Sequence, residues 1–153
     1  MHAWRKGNAF LALLEHKKNR AGHDKKKSEA LLEAFCYAIS ECHREHEAIS
    51  IKIAQLMSPG VLSRSDMYQR IRQQGVLMSV QQDITQRIID LQNDADIEKQ
   101  KIEQCQSMIV GCEKRHRNIA RYLQCVRRNQ LQRADTSTEN DIEERVNYGD
   151  KNG

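Results

Sequence analysis

The chain has 153 residues, enough for one domain, but only 5% are aromatic and 30% are charged. That is thin material for a globular core, and it suits long helices that bury a narrow seam. The net charge of +4 is unevenly spread: residues 1–29 carry eight Lys/Arg against three Asp/Glu, residues 99–133 nine against two, and residues 134–153 a net of −4. Single-sign fields of this kind select partners rather than folds. No run reaches the ~20 apolar residues that span a bilayer. The N-terminus starts basic, but its apolar part is short and has no small-residue cleavage site, so it reads as mature sequence. The cysteines (Cys36, Cys42, Cys105, Cys112, Cys125) are odd in number and set within helical pattern. They are unlike a secreted disulfide framework and point to a reducing, cytoplasmic setting.

In chain order, the first element is a helix over about 3–57. A seam runs from Trp4 through Gly7, Leu11, Leu14, Lys18, Ala21, Lys25, Ser28, Leu32, Phe35, Ile39, Cys42, His46, Ile49 and Ile53 to Leu56. The alternating steps of three and four give the period of about 3.5 residues that marks a coiled coil. Between Lys17 and Lys27 the seam weakens, with Gly22 and a run of three lysines. A frayed turn or bend is expected there, and a polar linker is the alternative. The tip follows over about 58–64, where Pro59 and Gly60 break the helix. Ser63 and Asp66 then form an S-x-x-D capping box for a second helix, over about 65–134.

The second helix continues the seam through Met67, Ile71, Gln74, Leu77, Gln81, Ile84, Ile88, Leu91, Ala95, Glu98, Ile102, Cys105, Ile109, Cys112, His116, Ile119, Leu123 and Val126. Folding at the tip pairs positions whose numbers total about 123, which sets Leu56 against Met67, Ile39 against Ile84, Lys25 against Glu98 and Gly7 against His116. The predicted fold is all-α: a long antiparallel two-helix coiled-coil hairpin over 1–134. Residues 135–153 are polar, acidic and rich in Asn, Ser, Thr and Gly, a tail expected to fray or be disordered.

No catalytic constellation is visible. The chain lacks a glycine-rich phosphate loop and a G-x-S-x-G, so no enzyme, cofactor or metal is expected. Cys42 with His46, and Cys112 with His116, have the i, i+4 spacing of helical zinc ligands. Both pairs sit on the seam, and the hairpin sets them ~45 Å apart, so they read as seam residues. His43 and His46 are spaced i, i+3 and do not form HExxH. The basic run Lys114, Arg115, His116, Arg117, Arg121, Arg127, Arg128 and Arg133 has only Tyr122 to stack a base. A solvated face ranks first, an acidic protein surface second and nucleic acid third. Around the turn, Leu62, Arg64, Tyr68, Arg72, Gln73 and Val76 face away from the seam, and tyrosine and arginine are common interface anchors.

The segment Leu62-Ser63-Arg64, with Tyr68, Arg72 and Gln74, reads L-S-R-x3-Y-x3-R-x-Q. With the hairpin plan, the similar length and the acidic C-terminus, it resembles the SpaM-type central stalk proteins of bacterial type III secretion systems, related in architecture to YscO and flagellar FliJ. The resemblance implies a cytoplasmic stalk, peripheral to the inner-membrane secretion apparatus, whose paired terminal ends enter the pore of a hexameric secretion ATPase. The tip would point to the export-gate membrane protein, with Leu62, Arg64, Tyr68, Arg72 and Gln74 as its contacts. FliJ-like members also bind secretion chaperones. The rival readings are a nucleic-acid-binding helical protein and a homodimeric coiled-coil scaffold.

Overall fold

The computed structural model describes residues 2–57, 60 and 62–147, with the helical backbone of 148–151. They form two helices, α1 (His2–Leu56) and α2 (Arg64–Lys151), packed on each other as a hairpin. The chain divides into two compact units, one of Met1–Gly22 with Ser107–Gly153 and one of His23–Gln106. In each, a segment of α1 lies antiparallel to a segment of α2.

Within His23–Gln106 the core is the cluster of Cys42, Ile84 and Ile88, with Ile39, Ile49 and Leu91 packed around it. Ser50 Oγ accepts a bond from Gln81 Nε2 at 2.6 Å, and Lys25 Nζ donates to Gln106 Oε1 at 2.7 Å. Within the other unit Leu14, Ala21, Cys112 and Leu123 are buried. There Lys18 Nζ meets Glu113 Oε1 at 3.3 Å, and the Arg127 guanidinium lies 5.8 Å from the Trp4 ring centroid. A Cβ added to Gly7 would overlap the Leu123 methyls, so glycine there lets the helices approach closely.

The seam faces agree with the heptads, but the register does not. Gly7 meets Leu123 rather than His116, and Lys25 meets Gln106 rather than Glu98. Facing positions total about 130, one heptad away from the value of about 123 expected from folding at the tip. The reason is geometric. A slip of seven residues carries every seam position onto another seam position, so periodicity alone cannot select among registers. Pro59 itself lies outside the described residues.

Four local features differ from the expectation. First, α1 runs unbroken through Lys17–Lys27. Ala21 and Ser28 are buried there and Lys18 and Lys25 half-buried, their ammonium groups reaching Glu113 and Gln106; lysine stems can line a seam while the charge sits at its edge. Second, Arg70 rather than Ile71 turns inward. It keeps the strict seven-residue spacing from Leu77, is half-buried, and donates from Nη1 to the Leu56 carbonyl at 3.3 Å. A cation on an orphan carbonyl at a helix C-terminus is favourable. Third, Met67 and Ile71 are 52% and 59% exposed, because the observed register ends α1 before it can cover them.

Fourth, the backbone stays helical to Lys151, past residue 134 where composition suggests a frayed tail. Adding residues to an existing helix avoids the nucleation cost. Thr136 and Thr138 donate from Oγ1 to the Gln132 and Ala134 carbonyls at 2.8 and 2.9 Å. Every described side chain from Arg127 to Asn147 is exposed, so no tertiary burial supports that stretch.

Candidate functional site at the tip

Ser63 begins α2 as an N-cap. Its Oγ accepts the Asp66 N–H at 3.2 Å and its carbonyl accepts the Met67 N–H at 3.0 Å. The Asp66 carboxylate lies in the first turn, where the helix dipole favours negative charge. At the other side of the turn the Met57 N–H bonds back to the Ala54 carbonyl at 3.2 Å, tightening the last turn of α1.

This cap orients the five residues singled out from the sequence. Leu62 is half-buried just before it. Arg64, Tyr68 and Arg72 are exposed, Tyr68 by 60%. Their i, i+4, i+8 spacing sets them along one side of the helix. Gln74 differs from the rest. It is half-buried on the seam, with Nε2 at 3.9 Å from Met57 Sδ, so it ties α2 to the end of α1 rather than facing solvent.

Two further features are not evident from the motif. Met67 and Ile71, one turn apart, add an apolar strip beside Tyr68 that α1 does not cover. Arg72 also lines an open groove of about 590 Å³, walled by Lys52, Gln55 and Leu56 of α1 and by Gln73 and Val76 of α2. The contribution of α1 could not be read from the motif because it depends on register. The tip therefore offers exposed apolar side chains among Lys52, Arg64 and Arg72, with Asp66 nearby. This chemistry suits binding an apolar, acidic protein surface.

Elsewhere, Cys42 is buried in the Ile84–Ile88 cluster of one unit, and Cys112 is buried in the other. Among the described residues no group of three or more His, Cys, Asp or Glu side chains could hold a metal ion. No described helix is long and apolar enough to cross a membrane. The basic run of α2 is exposed except for His116, which is half-buried on the seam. Together, residues 1–22 and 107–133 carry twelve Lys/Arg against two Asp/Glu. Among the described residues, Lys18–Glu113 is the only ion pair there.

Compared with known families, the chain matches the model described as Salmonella surface presentation of antigen gene type M protein over residues 5–146. No curated protein and no solved structure matches it.

Proposed function

Because the chain belongs to the family of the Salmonella surface presentation of antigen gene type M protein, a family related to type III secretion stalks, we propose that it is a non-enzymatic stalk of a bacterial type III secretion export apparatus. In this reading it links the hexameric secretion ATPase to the export gate and works on the cytoplasmic side of the inner membrane. Secretion chaperones are further candidate partners. The observation that carries the reading is the family match across nearly the whole of a helical hairpin.

Two features of the chain support the assignment of its ends. The cation-rich segments 1–22 and 107–133 have almost no internal counter-charge. They suit an acidic or polar ATPase pore, where long-range attraction speeds encounter. The tip, with Leu62, Arg64, Tyr68 and Arg72, suits the export gate, while Gln74 acts by holding the seam.

The test is co-purification with the secretion ATPase encoded beside this protein, and ATP hydrolysis measured with and without it. The expected result is binding near one stalk per hexamer with stimulated turnover. A well-folded helical protein that neither binds nor stimulates would remove the stalk reading. For the tip, Tyr68→Ala combined with Arg72→Ala should leave helix content intact and impair secretion. Full secretion in the double variant would remove the tip as a docking surface.

A further inference from the structure

The observed register leaves a defect in an otherwise regular seam. Glu98 is 6% exposed. Its Oε1 accepts a bond from Lys101 Nζ at 3.3 Å, but Oε2 is buried with no hydrogen-bond partner. A carboxylate oxygen taken out of water without a donor is costly. The lysine best suited to answer it on α1, Lys25, is instead engaged by Gln106 at 2.7 Å and Glu29 at 3.9 Å. The same register leaves Met67, a seam residue by its spacing, 52% exposed.

One displacement answers both defects. If α2 slides by seven residues along α1, Glu98 comes opposite Lys25 and Met67 comes opposite Leu56. The heptad is strict from Trp4 to Leu56 and from Gln74 to Val126. Every seam residue between these limits therefore stays on the seam and only changes partner. Ile84 moves from His46 to Ile39, Ile88 from Cys42 to Phe35, and Leu91 from Ile39 to Leu32. The slide has costs. It gives up Lys18–Glu113, Ser50–Gln81, the Arg127–Trp4 stack and the seating of Leu123 on Gly7. Each register thus satisfies groups that the other strands.

We propose that the hairpin has two registers one heptad apart, a displacement of about 10 Å. The observed register is held by Gly7–Leu123 and Trp4–Arg127, and the slipped one by a Lys25–Glu98 pair in the seam. Coverage of the tip changes with the register, since Met67 is uncovered in the first and meets Leu56 in the second. The regulatory meaning of that change rests on the tip being a docking surface. The slide itself does not, and it is measurable in the protein alone.

The test is disulfide trapping in the full chain, with Cys36, Cys105, Cys112 and Cys125 replaced by alanine and Cys42 kept. A second cysteine is introduced by Ile88→Cys, which faces Cys42 in the observed register, or by Gln81→Cys, which faces it only after the slide. Thr85→Cys, on the exposed face, is the control. With oxidised glutathione as oxidant and dilute protein, intramolecular closure is followed by mobility on non-reducing gels. The expected order is Ile88→Cys first, then Gln81→Cys, with Thr85→Cys more than tenfold slower than Gln81→Cys. Adding Glu98→Leu, which removes the need for Lys25, should slow closure at Gln81→Cys several-fold and leave Ile88→Cys unchanged. Closure at Gln81→Cys no faster than at Thr85→Cys would overturn the proposal. So would closure indifferent to Glu98→Leu, which would report local opening. If the first background loses its helix content, the same comparison is made in a cysteine-free chain. There Ile39→Cys is combined with Leu91→Cys for the observed register or with Ile84→Cys for the slipped one. Failed tip docking in secretion assays would leave this result standing.

Discussion

Two stretches of α2 keep most of their side chains exposed, and they differ in kind. Residues 64–73, in the unit His23–Gln106, begin at a formed N-cap and gather Met67, Tyr68 and Ile71 within five positions, all exposed. Residues 127–147, in the other unit, spread Leu131, Ile142 and Val146 over sixteen positions among arginine, acidic and amide side chains. Both are largely exposed helix. Arginines flank both, but only the first clusters its apolar surface, the arrangement from which interface anchors are made. The second is held by its local backbone bonds.

The largest effect expected belongs to neither stretch and sets the scale for both. Ile84→Ala removes a buried side chain from the Cys42–Ile88 cluster and should cost about 2–5 kcal/mol in urea unfolding, with little change in m-value. Ser63→Ala, which deletes the cap that starts the tip helix, should cost about 1 kcal/mol by the same measurement. A cost near zero would mean that the first turn of α2 is frayed in solution. Met67→Ser with Ile71→Ser should change stability by no more than about 0.5 kcal/mol per site, because both side chains are uncovered. A loss as large as that of Ile84→Ala would mean that α1 covers them after all. Deleting the chain from Asp135 onward should be smallest, with the thermal midpoint nearly unchanged. A large drop would mean that the acidic stretch packs on something, and the contrast between the two stretches would fail.

Much of this fold was legible in the heptads. Leu14, Ala21, Cys42, Ile84, Ile88, Ala95, Cys112 and Leu123 all lie on the predicted seam and all are buried, because a side chain's face follows directly from its place in a 3.5-residue repeat. Even the lysine-rich part of α1 kept its face, since Lys18 and Lys25 fill seam positions with their stems. Two predicted seam positions, Met67 and Ile71, are exposed, and of these Ile71 is off the strict repeat. The strict repeat gives Arg70, whose guanidinium reaches a carbonyl of α1 that is visible only once both helices are in place. At the tip, exposure of Arg64, Tyr68 and Arg72 could be read from the motif. The seam place of Gln74 followed from the heptad instead, and the groove wall supplied by Lys52 and Gln55 could not be read from either.

By itself, then, the sequence determined that two helices form, which face of each is buried, and where Ser63 restarts the chain, because these depend on periodicity and local hydrogen bonding. The tertiary structure alone decided which residue faces which. A heptad repeat is indifferent to a shift of seven residues. The choice falls to contacts between distant parts of the chain: Gly7 with Leu123, Lys18 with Glu113, Lys25 with Gln106, and Ser50 with Gln81.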